Sequence, residues 1–280
     1  MPDRTNATAT TGGVLRPDEL ARHLALERRP AGAAVAPWVE NHWRLAWDLP
    51  PGRSYVSEVL PHPTCSLTVE DATHPRPGVP PGERVVVTGV STRRFDVELR
   101  DRGRVLGVRF RPGGLTALTG LDAAAWSDRT VSARAVLPAP FVDRLADPAL
   151  ADDPDAWEST AEEGLAALDP GPDERYDEVL AVVGAMLADP ALLTVGEVAR
   201  RHGCSTRRLQ RLFAQYVGVG PKCVLARYRM HDVVAALDAG YDGTLTDLAV
   251  RHGWYDQAHF TRDFTALVGV TPGRYRDRRS

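Results

Sequence analysis

Apolar and polar residues alternate with a period of two along RFDVELRDRGRVLGVRF, residues 94–110. Phe95, Val97 and Leu99 are interleaved with Asp96, Glu98 and Arg100, and Leu106, Val108 and Phe110 repeat the pattern after the turn residues DRG. That spacing predicts a hairpin with one buried face. YVSEVLPHPTCSLTVE and ERVVVTGV read as further strands, and the Pro/Gly run THPRPGVPPGE at 73–83 is a loop no helix could cross. The stretch 35–135 is therefore expected to form a β barrel or sandwich. From Tyr176 onward the period changes to that of helices: YDEVLAVVGAMLAD, TVGEVARRHG, STRRLQRLFAQYV, PKCVLARYRMHDVVAALDAG, TLTDLAVRHG and DQAHFTRDFTALVG, with short breaks. The chain is accordingly α+β and multidomain. A disordered leader at 1–13 precedes a β-rich domain at 14–140. An acidic connector follows at 141–175, and an all-α domain at 176–280.

The all-α segment contains a near-repeat. ARRHGCSTRRLQRLFAQYVGVGP (199–221) lies over AVRHGWYDQAHFTRDFTALVGVTP (249–272), with one residue inserted in the second copy's turn. Each copy has the layout of a helix-turn-helix, the first unit at about 194–221 and the second at about 244–272, joined by a helix at 221–238. Gly203 and Gly253 suit a left-handed helix end. Ser205 and Asp256 suit the N-cap of the following helix. Leu209, Leu212 and Phe213 in one copy, and Phe260, Phe264 and Leu267 in the other, form the inward faces.

The formal net charge of −3 over 280 residues conceals an asymmetry: residues 143–189 carry 2 basic and 14 acidic side chains, and 190–280 carry 14 and 8. A basic last third behind an acidic connector suits a polyanionic partner, with the connector as a candidate shield for it. Three cysteines without paired spacing argue against a disulfide framework or a cysteine zinc site. The polar N-terminus and the lack of long apolar runs point to a cytoplasmic protein without a membrane partner.

Against that charge, the outward faces of the repeat gain meaning. Arg207, Gln210 and Arg211 share one face in the first copy. Gln257, Ala258, Thr261 and Arg262 form the matching strip in the second, with His259 at its edge. Arginine can bond guanine, and glutamine adenine, in bidentate fashion from a helix in the major groove. A solvated surface helix would explain one such copy; two with the same glycine, cap, aromatic and arginine placement favour recognition of double-stranded DNA. Ser205, Thr206 and Asp256, at the helix starts, are placed for backbone contacts.

The segment 176–276 resembles the DNA-binding domain of AraC/XylS-type bacterial transcription regulators, and GWYDQAHFTRDFTALVGVTPGRYR (253–276) carries the resemblance. Ala258 and His259 depart from residues common there. The resemblance implies a sequence-specific activator or repressor whose two recognition helices read successive major-groove segments. Ser205, Thr206, Arg207, Gln210 and Arg211 would make the contacts of the first unit, and Asp256, Gln257, His259, Thr261 and Arg262 those of the second. RNA polymerase is an implied partner, a homodimer an implied assembly, and a cupin-like β barrel with a sensory or dimerisation role the implied N-terminal domain. APWVENHWRLAWDLP, VLPHPTCSLTVE, VTGVSTRRFDVEL and LGVRFRPGGLTALTG further resemble the N-terminal domain of a subset of AraC-like proteins.

For that domain the candidate contacts to an unknown small-molecule effector are Trp38, His42, Trp43 and His62, since aromatics with a few polar groups make pockets. Barrel core and rim are the other role open to the tryptophans. RFRPGG (109–114) could close the barrel or bind an anion. No catalytic or metal residue is expected and no cofactor: H-x-H, G-x-S-x-G and P-loop patterns are absent, and Cys65 has no neighbouring cysteine. The competing reading is a small-molecule-binding or enzymatic β barrel whose helical domain serves protein contacts.

Overall fold

A computed structural model describes residues 13–277. The expected leader lies outside the described residues except for Gly13. The N-terminal half is two antiparallel sheets. Strands β1 (Leu24–Pro30), β2 (Val39–Asp48), β4 (Ser66–Ala72), β5 (Val85–Thr88), β7 (Arg102–Phe110) and β8 (Thr130–Ser132) form a six-stranded sheet in the order β1-β2-β7-β4-β5-β8. Strands β3 (Ser54–Val59) and β6 (Phe95–Arg100) pair into a second, two-stranded sheet. Short helices α1 (Pro17–Leu20) and α2 (Gly114–Thr119) flank them.

The predicted hairpin of 94–110 does not form. β6 pairs with β3, and β7 pairs with β2 and β4. The two apolar sets explain why. Leu99 packs in a small core with Leu20, Leu24, Trp47 and Tyr55, with Val97 against it, whereas Leu106, Val108 and Phe110 belong to the main core. A hairpin would turn both sets to one side. The chain instead changes sheets at Asp101, whose φ of 48° makes the corner.

The register divides the six-stranded sheet cleanly. Leu67, Val69, Val85, Val87, Leu106 and Val108 are buried on one face. On the other, Arg28 lies opposite Trp43, Trp43 opposite Gly107, and Gly107 opposite Thr68. This second face and the β3–β6 sheet enclose a cavity of about 200 Å³. Gly107 and Gly103 are required there by close approach: a Cβ would stand 2.3 Å from Trp43 Cε2 and 2.2 Å from Trp47 Cζ2 respectively. The missing side chains let both indoles lie flat against the sheet.

The acidic stretch is folded. Helices α3 (Ala139–Leu145), α4 (Pro148–Ala151) and α5 (Pro154–Ala166) pack on one another, and Trp157, Ala161 and Leu165 enter the main core. Arg104 meets Asp152 at 2.6 Å, Arg29 meets Asp155 at 2.5 Å, and Glu162 accepts from Gly32 N at 2.7 Å. Helix α6 (Glu174–Ala188) opens the helical part, followed by α7 (Val195–Arg201), α8 (Thr206–Val217), α9 (Pro221–Asp238), α10 (Leu245–Arg251), α11 (Gln257–Val268) and α12 (Pro272–Asp277). The main core runs from the sheet through α6 into α7, α8 and the start of α9. A separate core is built by Met230, Val233, Leu248, Phe260, Phe264 and Val268, with Leu15 and Leu60 from the N-terminal half.

Candidate nucleic-acid interface

Both units of the repeat are built by the same local chemistry. α7 begins with a capping box: Thr194 Oγ1 accepts from Glu197 N at 3.2 Å and Glu197 Oε2 accepts from Thr194 N at 2.8 Å. A hydrogen bond from the Thr194 hydroxyl to Glu197 Oε2 at 2.9 Å, and then those from the backbone, hold the Glu197 carboxyl below its ordinary value. α10 starts with Thr244 Oγ1 accepting from Asp247 N at 3.0 Å. The turns leave each first helix through left-handed Gly203 (φ 62°) and Gly253 (φ 80°). α8 is then capped by Ser205, which accepts from Arg208 N at 3.2 Å, and α11 by Asp256, which accepts from His259 N at 2.7 Å.

Burial sorts the two faces of each second helix. Leu209, Leu212 and Phe213 are buried on α8, and Phe260, Phe264 and Val268 on α11. Leu267 is only half-buried. Ser205, Thr206, Arg207, Gln210 and Arg211 are exposed, as are Asp256, Gln257, His259 and Arg262, while Thr261 is half-buried. Among the described residues, Arg207, Arg211 and Arg262 make no ion pair or hydrogen bond, so their guanidiniums stand unengaged. Arg208 differs: it forms a two-pronged contact with Glu178 of α6, at 2.7 and 3.2 Å. Gln257 accepts from Thr246 Oγ1 at 2.8 Å, and His259 stands 3.3 Å from Asp263.

α11 is held from behind by an aromatic ladder. Trp254 meets Phe260 edge-on at 5.2 Å, Phe260 meets Phe264 at 5.7 Å, and Phe264 meets Tyr275 at 5.7 Å. Trp254 Nε1 donates to Asp263 Oδ2 at 2.9 Å, and Arg229 lies 4.9 Å over the Trp254 ring. Tyr255, in the turn before α11, is 92% exposed, and its position in the sequence carries no signal of that.

The other candidates fall in two places. Trp43 and His62 line the cavity between the sheets. His42, next to Trp43 in the strand, points to the opposite face, where its Nε2 lies 2.9 Å from Glu162. Trp38 packs against the main core. The structure thus does not bring these four together. Arg28 and Arg109 do line the cavity. For Arg109 the RFRPGG stretch was a signal; for Arg28 only the strand register could have been one. Cys65 is buried, and burial pushes its thiol up to about 11, which disfavours the thiolate a nucleophile needs. No group of three His, Cys, Asp or Glu among the described residues could hold a metal ion, and no helix among them is long and apolar enough to cross a membrane.

With this geometry in place, the likeness to known proteins is specific at the C-terminal end. Residues 198–278 match a family described as a helix-turn-helix domain, and residues 27–132 match a domain of unknown function, DUF6597. An uncharacterised helix-turn-helix-type transcriptional regulator of Staphylococcus aureus is 35% identical over 85 residues, 30% of this chain. The chain spans only 11% of that regulator's length. The probable transcription factor PqrA of Proteus vulgaris is 29% identical over 89 residues, covering 30% of this chain and 69% of PqrA. The solved structure of ToxT from Vibrio cholerae is 11% identical, with a TM-score of 0.42 over 84% of this chain and 94% of ToxT. The double unit is thus similar to known helix-turn-helix domains. More narrowly, the C-terminal segment carries the helix-turn-helix match and the N-terminal segment the DUF6597 match, each over less than half of the chain.

Proposed function

We propose that this protein regulates transcription by binding one DNA sequence through α8 and α11, under the control of its sheet domain. The observation that carries the reading is the duplication itself. Two helices with the same cap chemistry and buried aromatic backs each present a polar front: Arg207, Gln210 and Arg211 on α8, Gln257, Thr261 and Arg262 on α11. The guanidiniums of Arg207, Arg211 and Arg262 are unengaged among the described residues, so binding DNA breaks no internal ion pair. Arg211 and Arg262 are assigned to base edges and Tyr255, Ser205 and Asp256 to the flanking backbone. α9 fixes the spacing between the two helices, which enter successive turns of the major groove. The like-charged surroundings of 190–280 add the salt-dependent phosphate attraction common to such complexes.

Selection of bound fragments from genomic DNA, followed by gel shift of the enriched sequence, tests this. Arg211→Ala and Arg262→Ala should each weaken binding by about 1–3 kcal/mol and relax base choice at one position. Tyr255→Ala should weaken all sequences alike. Failure to enrich any sequence at moderate salt, or unchanged base preference in both arginine variants, refutes the assignment.

A further inference from the structure

The cavity between the two sheets is walled mostly by apolar side chains, and its charged groups can be accounted for one by one. Glu70 meets Arg76 at 2.9 Å, Glu98 meets Arg100 at 2.9 Å, and His74 meets Asp101 at 2.8 Å. Two guanidiniums are left over. Arg28 Nε and Arg109 Nη1 are both buried without a hydrogen-bond partner among the described residues. The register explains their meeting. Arg28 on β1 sits opposite Trp43, and Arg109 on β7 sits opposite Asn41, so the two emerge on the same face in neighbouring rows with Trp43 between them. Burial, and then the charge of Arg109, bring the Arg28 guanidinium down to about 10. Burial also lowers Arg109, and only Glu40 pulls the other way on both.

A charge partly withdrawn from water and without a partner is costly unless something supplies the opposite charge, and both arginines are half-buried. Two guanidiniums against one carboxylate leave one positive charge to be met. We propose that this cavity binds a small organic monoanion, a carboxylate whose oxygens bridge Arg28 and Arg109 and whose compact apolar body lies against Trp43, Leu45 and Val105. Guanidinium forks match carboxylates in geometry as well as charge. One positive charge left over is met by a single negative one, and a volume of about 200 Å³ limits the body to something compact.

The polar end of the site adjoins α9. His62, on the cavity wall, stacks on His231 of α9 with ring centroids 4.1 Å apart. Arg227 of α9 donates to the carbonyls of Pro61 at 3.0 Å and Ser91 at 3.1 Å, and both residues line the cavity. An occupant thus presses on the segments that hold the helix between the two units. This consequence for DNA rests on the function proposed above; the binding itself does not.

The test is a titration of the full chain, without DNA, with acetate, phenylacetate, 3-phenylpropanoate and octanoate and with their neutral amides, followed by tryptophan fluorescence and calorimetry. At least one of the larger carboxylates should bind, about tenfold or more tighter than its amide, while acetate binds weakest. Arg109→Met and Arg28→Met should each lose about tenfold or more of that affinity. Without ligand both should melt no lower than the parent, because each removes a half-buried guanidinium without a hydrogen-bond partner among the described residues. The two variants test the same pair from opposite strands, so poor folding of one leaves the other to decide. Equal binding of carboxylate and amide, unchanged affinity in the folded variants, or no binding of any probe at millimolar concentration overturns the proposal. Failure here leaves the reading of DNA by α8 and α11 standing, and failure to select a DNA sequence leaves the titration standing.

Discussion

Phe213 and Phe264 occupy equivalent turns of the two recognition helices, and both are fully buried, yet in different cores. Phe213 lies in the main core, continuous with the sheet, α5 and α6. Phe264 lies in a smaller core of its own, to which, among the described residues, the N-terminal half adds only Leu15 and Leu60. α8 also packs against α2 and the turn at Ala123–Trp126, whereas α11 packs on α10 and α12. The same backbone plan therefore yields one unit welded to the sheet domain and one resting on it. Units so held should respond differently to strain, the first moving with the sheet and the second shifting against it. A core break shows this most strongly. Phe213→Ala should cost about 3–5 kcal/mol and lower the protection of β2 and β7 along with α8. Phe264→Ala should cost a similar amount locally but leave amide exchange in the sheet unchanged. Equal loss of sheet protection in both variants would show that the two cores are one.

The next largest effect lies at the seam where α9 meets the sheet domain. Burial first, then the charges of Arg227 and Arg109, bring His231 down to about 3, against a hydrogen bond with the backbone of Pro61 that raises it. The ordinary value is 6.5. Between those values the unfolded chain takes up a proton that the folded chain does not, so the folded state loses stability as pH falls from 6.5 toward 3 and is unaffected above 6.5. His231→Phe should flatten that part of the stability curve, read by chemical denaturation at pH 7 and pH 5. A parallel acid loss in the variant would place the titrating group elsewhere.

Smaller effects separate the grips on the two helix ends. Arg94 Nη1 donates to Val268 O at 2.8 Å, at the end of α11, and Ser127 Oγ donates to Gly218 O at 2.7 Å, at the end of α8. Each is a single contact from the sheet domain beside a left-handed glycine. Arg94→Ala should raise amide exchange throughout α11 by roughly the 1 kcal/mol of one hydrogen bond. Ser127→Ala should be nearly silent in α8, which the shared core holds in any case. The reverse ranking would mean that the second unit is the better anchored.

What could be read in the sequence divides along the same line between local and long-range causes. Gly203, Gly253, Ser205 and Asp256 act within a few residues of themselves, and the repeat exposed all four. The faces of α8 and α11 follow from helical period alone, apart from Leu267, which is only half-buried. Strand partnership does not: nothing in 94–110 says that Phe95, Val97 and Leu99 turn toward β3 rather than toward Leu106 and Val108. His42 and Trp43 illustrate a limit that was available. Neighbours in a strand point to opposite faces, so without a bulge only one of them could enter a pocket. Arg28 and Arg109 are 81 residues apart, and their proximity exists only once β1, β2 and β7 are in register.

The smallest test of the comparison is at the two caps. Ser205→Ala and Asp256→Ala each remove one side-chain acceptor from the first turn of a recognition helix, a loss of about 1 kcal/mol in either place. In α8 the first turn is pinned by Leu209 in the main core and by the Arg208–Glu178 pair, so the loss should appear in global stability rather than as local fraying. In α11 the first turn carries Gln257, Ala258 and His259, all exposed, and the first buried side chain is Phe260 of the smaller core. There the same loss should appear as faster exchange confined to residues 257–260. DNA affinity should follow the fraying rather than the global value, since a frayed first turn must be re-formed before it can meet the groove. Asp256→Ala is therefore expected to weaken binding more than Ser205→Ala even where the two melt at the same temperature. Equal effects on binding would mean that both helices are equally preformed and that the difference between the two cores does not reach their DNA-facing ends.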